Sequence, residues 1–370
     1  MSRPADLVSG PNVYADLRRL ADSAPVVRVM LHGRVPAYLL TRPDDIANAA
    51  VDPRLTSDDS FLRTGRSSVK IGFMGLDGPE HARLRRSATA ALAPRRIHAL
   101  RPYLRRVIAE AVGAVLPAGR ADLVTDVALP VAMRVICELL GIPFGDREDF
   151  EHVANQLLLP TGDPVAARRH LYDYLAELVR TNDLSGATDD LTEREVVETM
   201  ALLLVAGYQT TADLIGSAML ALLENPEQLT VLRDDLSTSD RVIHELVRYC
   251  GPMAIGVTRY TKETVVLAGT TVPPGERVVL GLGCANRDPT LFPDPGRLNL
   301  RRAPTGHFSF GRGPHYCLGA ALARLEAKLV ITTLCRELRQ LRLAGEPTWR
   351  TTIFTGVQHL PVTFTARPHA

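Results

Sequence analysis

Residues Phe310 to Glu326 read FGRGPHYCLGAALARLE. Phe310-Gly311-Arg312-Gly313-Pro314 cannot form a regular element. Its two glycines open backbone dihedrals closed to other residues, and Pro314 removes a hydrogen-bond donor. The chain tightens there and delivers Cys317 just before a strongly helical pattern, Leu318 to Leu338. A sulfur at that place gains from the positive end of a helix and from its unpaired N–H groups, both of which favour thiolate over thiol. With Gly319, Ala320 and Ala321 beside it, such a thiolate suits a flat, bulky metallocofactor pressed against the backbone.

Haem held by cysteine answers that description. The bland alternative is a small buried hydrophobe, the commoner fate of a lone Cys. Here the run from Phe310 to Gly319 resembles the haem-binding signature of the cytochrome P450 family, of the soluble bacterial type. Phe310, Gly311, Gly313, His315 and Cys317 all stand at the family's spacing. The resemblance implies haem b (iron protoporphyrin IX) with the Cys317 thiolate as axial metal ligand. Phe310, Gly311, His315 and Gly319 are then cofactor-binding residues.

Composition sets the frame. The chain has 370 residues, 46% hydrophobic and 23% charged, ordinary for a globular protein. No Pro/Ser/Gly-rich linker or repeat divides it, so one large domain over 1–370 is expected. The net charge of +2 is too balanced to imply nucleic acid or an anionic membrane as partner. The five cysteines (137, 250, 284, 317, 335) are odd in number and scattered, which argues for a reducing compartment and against a disulfide scaffold. The longest uncharged apolar-leaning run, Thr199 to Ala212, is too short to span a bilayer. A cytoplasmic protein is expected.

Along the chain, Val13 to Asp22 reads as a helix. Val26 to His32 and Pro36 to Leu40 read as a hairpin, and Pro43 to Val51 as a second helix. Ser57 to Met74 is a loop by pattern. By resemblance it covers the distal face of the haem with Phe61, Val69, Ile71, Phe73 and Met74, although each could equally pin the loop to the core. Leu76 to Arg86 starts a helix at Asp77 and Pro79, and His81 and Arg85 share one of its faces. Two cationic donors there suit a buried dianion, and the stretch resembles the family's propionate-binding helix at both residues. Further helical patterns cover Ile97 to Leu116, Val124 to Leu140, Asp146 to Leu159 and Pro164 to Arg180, with a loop at Leu157 to Gly162. The resemblance makes the last two helices and that loop a mobile lid. Asn182 to Asp190 is a short polar connection.

Thr192-Glu-Arg-Glu195 is a capping-box pattern that opens a long helix ending at Asn225-Pro226. Its middle, Met200 to Gly207, is apolar all round and marks a central buried helix. Tyr208-Gln209-Thr210-Thr211 then places polar groups in that setting. A Thr hydroxyl can bond the carbonyl one turn back and open a groove. The stretch resembles the family's distal helix, and Thr210 matches the hydroxyl that binds dioxygen and organises water. Gln209 stands where the family usually has an acid. An amide cannot relay a proton by ionising, so Thr210 with water, or Asp213 one turn on, is an alternative source. Gln209 and Thr210 are the candidate catalytic residues.

Glu245 and Arg248, three apart on a helix, resemble the family's buried Glu-x-x-Arg, with Arg297 as the expected third, structural member. Arg259 matches a further propionate ligand, and His315 a third. The substrate pocket implied by the resemblance is lined by Phe61, Phe73, Met74, Leu203, Ala206, Gly207, Met253, Ile255, Val257, Ile353 and Phe354. Thr355 stands where the family often has Arg. Val265 to Leu267, Val278 to Gly281 and Thr363 to Phe364 are strand-like.

The fold implied is mainly α, a triangular helical prism with small β-sheets. The activity implied is O2-dependent hydroxylation or epoxidation of an apolar small molecule, of the natural-product tailoring kind. Electrons would come from a separate ferredoxin and ferredoxin reductase, docking on a basic face of Arg85, Arg86, Arg95, Arg96, Arg312 and Arg324. Oxidative coupling or ring formation without oxygen insertion is the alternative within the class. A haem or small-molecule binding protein without catalysis is the alternative outside it. A structural metal at His315 and Cys317 would need more ligands than lie nearby in the sequence.

Overall fold

The computed structural model of the chain describes residues 5–63, 72–143, 145, 164–181, 191–236, 239–350 and 354–367. Val69 and Ile71, the helix expected over 146–159, the loop at 157–162, the connection 182–190 and Ile353 lie outside them. The helices are α1 Val13–Ser23, α2 Pro43–Ala49, α3 Gly78–Ala91, α4 Pro94–Ala99, α5 Arg101–Val115 and α6 Leu129–Leu140. They continue with α7 Pro164–Thr181, α8 Glu193–Glu224, α9 Pro226–Asp234, α10 Ser239–Cys250, α11 Leu282–Asn286 and α12 Ala320–Glu337. Strands β1 Ala5–Leu7, β2 Val26–Leu31, β3 Val35–Leu40, β4 Leu55–Thr56, β6 Val257–Thr261 and β9 Arg277–Leu280 form one sheet, in the order β1-β2-β3-β9-β6-β4. A smaller sheet orders β10 Leu338–Leu343, β13 Pro361–Ala366 and β5 Arg120–Asp122, and two hairpins pair β7 Val265–Leu267 with β8 Thr270–Val272 and β11 Thr348–Trp349 with β12 Val357–His359. The prism of helices with small sheets expected from the sequence is the fold found.

The capping box forms as its pattern predicts. Thr192 Oγ1 accepts from the Glu195 amide at 3.3 Å, and the Glu195 carboxylate accepts from the Thr192 amide at 2.8 Å. The helix it opens, α8, has 32 residues and is about 48 Å long at 1.5 Å per residue. It packs against α6, α7, α10 and α12 and is buried along most of its length.

Around α10 a buried polar network fixes the segment that leads to Cys317. Arg248 donates through Nε and Nη2 to the Glu245 carboxylate at 2.7 and 2.8 Å, and through Nη1 to the carbonyls of Asn286 and Pro295 at 2.7 and 2.9 Å. Asn286 in turn donates to Ser309 Oγ at 2.9 Å and accepts from the Phe308 amide at 2.6 Å. Ser309 Oγ closes the ring by donating to the Val247 carbonyl of α10 at 2.7 Å. The third member of the ion cluster is Arg302, 3.1 Å from Glu245, and not Arg297. Arg297 is exposed and contributes its carbonyl, which accepts from Arg302 at 3.5 Å. Arg302 follows the turn at Asn299 and folds back onto Glu245, whose carboxylate also accepts from the Asn299 amide at 3.0 Å.

Other departures have local causes. The helix expected over 97–116 breaks at Leu100, because Pro102 sits in the first turn of a new helix, where its missing N–H costs nothing. The run from Val124 opens as a wide π-turn, Leu123–Ala128, before α6. Pro130 cannot donate to the Asp126 carbonyl and its ring crowds it, which accounts for the wider turn. Helix α12 starts at Ala320, since Cys317 and Leu318 belong to the loop. The sequence reading did not single out α9 or β10.

Arg297→Ala should change the unfolding free energy by no more than ~0.5 kcal/mol, as for an ordinary surface change. Arg302→Ala should cost about 1.5–3 kcal/mol, the worth of bonds to a buried charge, and Arg248→Ala about 3–5 kcal/mol. Urea unfolding of the three variants checks this order.

Candidate functional site

Midway along α8 one stripe is open while its neighbours on the helix are buried. Leu203, Ala206, Gly207 and Thr210 are exposed or half-exposed at positions i, i+3, i+4 and i+7. Thr210 Oγ1 donates to the Ala206 carbonyl at 2.7 Å, and Thr211 Oγ1 to the Gly207 carbonyl at 2.8 Å. Both bonds are the groove-forming kind expected of Thr in a helix. A Cβ at Gly207 would meet Ile136 Cδ1 at 2.9 Å, so this glycine also lets α6 approach.

A second wall is the loop that carries Cys317. The Gly311 amide donates to the Phe308 carbonyl at 2.8 Å, and the Cys317 amide to the Phe310 carbonyl at 2.8 Å, so the loop closes twice on itself. Gly313 has φ +70°, and a Cβ there would stand 2.8 Å from the Ala50 carbonyl at the end of α2. Glycine is required at that turn. The Phe310 ring lies between His307, 5.5 Å away, and Tyr316, 6.3 Å away, with the Arg324 guanidinium 4.9 Å from its centroid. Cys317 is open to solvent although protein is dense around it. Burial raises its thiol pKa and outweighs the hydrogen bond from the Gly319 backbone and the charges of Arg85 and Arg324, so the loop alone does not favour the thiolate as the sequence led us to expect.

Four cationic or protonatable groups border the walls. The His81 and His315 rings are 4.1 Å apart, and Phe73 packs edge-on against His81 at 5.7 Å. Gly72, beside Phe73, touches α8 at Glu198 and Leu202, so this stretch ties α3 to the distal helix. His81 is buried with no hydrogen-bond partner for Nε2 among the described residues, and burial, then His315 and Arg85, lower its pKa to about 4. Arg85 donates to the Tyr316 carbonyl in the cysteine loop. Arg259 is buried, donates to the Thr258 carbonyl at 2.9 Å, and has its pKa lowered by that burial. Two guanidinium groups beside two imidazoles in a partly buried site call for an anion. An orphaned imidazole nitrogen, two arginines, an accessible thiol and open space at Gly319 fit a haem, whose two carboxylates and iron match these donors.

The structure brings Thr210, His81, Arg85, Arg259, Phe310, Gly311, His315, Cys317 and Gly319 into this region, with Phe73, Leu203, Ala206 and Gly207. Phe61 and Met74 are exposed, 44% and 53%. Met253 and Val257 pack together with the β3 and β9 side chains, and Phe354 is half-buried. Ile255 does not belong to the pocket. It joins Leu7, Val13 and Leu17 in a separate apolar cluster, because Gly256 at φ +119° turns the chain between residues 255 and 257. Gln209 does not reach the groove either. It is 3% exposed, and its Nε2 donates to Asp213 Oδ1 at 2.9 Å. Arg85 donates to the Tyr316 carbonyl and so is not available to the basic face expected from the sequence.

Two participants were not singled out from sequence in these roles. Asp77 stands at the start of α3 but makes no cap with its side chain. Its carboxylate accepts from Thr56 Oγ1 at 2.6 Å, the Ser57 amide at 2.6 Å and His315 Nε2 at 2.8 Å. These bonds, His315 first, outweigh the burial that opposes them and hold its pKa well below the carboxylate range. Arg350 donates through Nε to Asp213 at 2.9 Å. Asp77 and Pro79 signalled a helix start, which hid the first role. Nothing local announces the second.

The family model described as Cytochrome P450 matches residues 147–357. Cytochrome P450 107B1 of Saccharopolyspora erythraea is 36% identical, covering 95% of this chain and 94% of its own. Cytochrome P450 monooxygenase PikC of Streptomyces venezuelae is 34% identical over 94% of this chain and 90% of its own. Among solved structures, the LnmA cytochrome P450 hydroxylase from the leinamycin biosynthetic pathway of Streptomyces atroolivaceus superposes with a TM-score of 0.84 at 35% identity, covering 98% of both chains.

His81→Ala and Arg85→Ala should each hasten haem loss to apomyoglobin. A charge-assisted bond is worth about 1.5–3 kcal/mol, roughly tenfold or more in rate. Arg95→Ala, on the exposed α4, should leave the rate unchanged.

Proposed function

The chain belongs to the cytochrome P450 family, and from that premise we propose that it hydroxylates or epoxidises an apolar small molecule, as a tailoring step on a natural product. It is a haem-thiolate oxidoreductase of the monooxygenase type. The observation that carries the reading is the open stripe of small and apolar residues on α8, set in the same region as an accessible thiol and a group of basic side chains. PikC and LnmA, named respectively as a monooxygenase and as a hydroxylase of a biosynthetic pathway, support the tailoring assignment.

Cys317 would ligate the iron, and His81, Arg85, Arg259 and His315 would hold the propionates. The haem supplies the redox chemistry that activates dioxygen. The chain supplies placement. Thr210, tethered to the Ala206 carbonyl, presents its hydroxyl at the groove, where it holds a proton and a water. Leu203, Ala206, Phe73, Met253, Val257 and Phe354 exclude water and orient an apolar substrate. Electrons arrive from a separate ferredoxin and its reductase in the cytoplasm, docking over Arg86, Arg95, Arg96, Arg312 and Arg324. No helix among the described residues is long and apolar enough to cross a membrane.

One observation favours a second reading, oxidative coupling. No ionisable side chain lies on the open stripe, and the carboxylate one turn on, Asp213, is buried away from it. Turnover under 18O-labelled dioxygen, with a substrate found by its Soret shift, decides. Label in the product is the expected result, and unlabelled product would mean coupling.

Arg312→Glu with Arg324→Glu should slow ferredoxin-supported turnover at low salt, with the effect shrinking as salt is raised. An unchanged rate would remove this face from the docking site.

A further inference from the structure

Behind the groove lies a buried polar chain that the catalytic reading does not use. Gln209 Nε2 and Arg350 Nε both donate to Asp213 Oδ1, each at 2.9 Å. Asp213 is 0% exposed, and its Oδ2 has no hydrogen-bond partner among the described residues. Burial pushes its pKa up to about 6, against the charge and hydrogen bond of Arg350 and the hydrogen bond of Gln209.

The close approach is built into the backbone. A Cβ at Gly356 would stand 2.5 Å from both Cβ and Cγ of Asp213. One turn along α8, a Cβ at Gly216 would meet Val124 Cγ2 at 2.7 Å and lie 3.7 Å from the Val357 carbonyl. Two glycines therefore seat the β11–β12 hairpin flush against the helix. The Arg350 amide donates across that hairpin to the Gly356 carbonyl at 3.0 Å, which holds the guanidinium over Asp213. An apolar pair of the same volume would pack the hairpin at least as well, because a buried ion pair seldom adds net stability. What the ion pair adds is direction: its acceptor oxygen points at Gln209.

We propose that Asp213, clamped by Arg350, is the positioning residue of the distal groove. It draws the Gln209 amide into the core, keeps that side chain out of the cavity and fixes the Ala206–Thr210 turn. The carboxylate of this site therefore stands one helical turn beyond residue 209 and acts through it. The hairpin that carries Phe354 is coupled to the groove by the same bonds, so a substrate pressing on the hairpin is felt at Thr210.

This inference rests on the haem-site reading, and the test separates the two. Carbon monoxide is added to the reduced holoprotein, and the infrared C–O stretch reports the polar surroundings of the groove. Asp213→Asn with Arg350→Met removes both charges and leaves no unpaired ion. This pair and Gln209→Ala should displace the band in the same direction, and all three changes together should displace it no further than Gln209→Ala. Gly356→Ala, which forces the hairpin off Asp213, should act likewise and keeps the test decisive if the paired variant fails to take up haem. A band unmoved by the paired variant or by Gly356→Ala, or displacements that add, would overturn the proposal. A parent protein that forms no carbon monoxide complex would overturn the haem reading, and this inference with it.

Discussion

Arg248 holds four hydrogen bonds at once, two to Glu245 and one each to the carbonyls of Asn286 and Pro295. A fully buried guanidinium would be costly to leave unpaired, and here its bonds tie α10 to two other parts of the chain, at Asn286 and at Pro295. Asn286 passes the constraint to Phe308 and Ser309, and Ser309 returns it to α10. The loop that follows can therefore take only the path that ends at Cys317. Glycines 311 and 313 let it turn, but the network behind it decides where it turns.

With the sulfur fixed, the remaining features of the site concern charge. His81, Arg85, Arg259 and His315 crowd one partly buried region, and the pKa of His81 is depressed first by burial and then by its basic neighbours. An anionic cofactor offsets their charge. Asp77 neutralises part of the excess from the solvent side by holding His315, while Arg85 binds the cysteine loop directly. On the other wall, α8 can expose a stripe of small and apolar residues because its remaining faces are buried against α6, α7, α10 and α12. The same separation between a polar side and an apolar side suits a cofactor whose carboxylates and ring system have different needs.

Much of this was legible in sequence where the signal is local. The capping box at Thr192, the glycine turns before Cys317 and the spacing of His81 and Arg85 each depend on residues a few positions apart. The misplacements concern relations set by folding. Arg297 and Arg302 are both exposed-looking arginines after the same proline-rich turn, and only the backbone path to Asn299 puts the second against Glu245. Ile255 reads like Met253 and Val257 until Gly256 reverses the chain between them. Gln209 sits on a correctly placed helix, but its side chain follows Asp213, whose partner Arg350 lies 137 residues away. No local pattern encodes that pairing.

The central claim is that Cys317 presents a thiolate to a haem iron held between these walls. The carbon monoxide difference spectrum of the reduced protein tests it most directly. The account predicts the far-red-shifted Soret band of a thiolate ligand in the parent and its loss in Cys317→Ala. A parent protein without that band, or a variant that keeps it, would contradict the account.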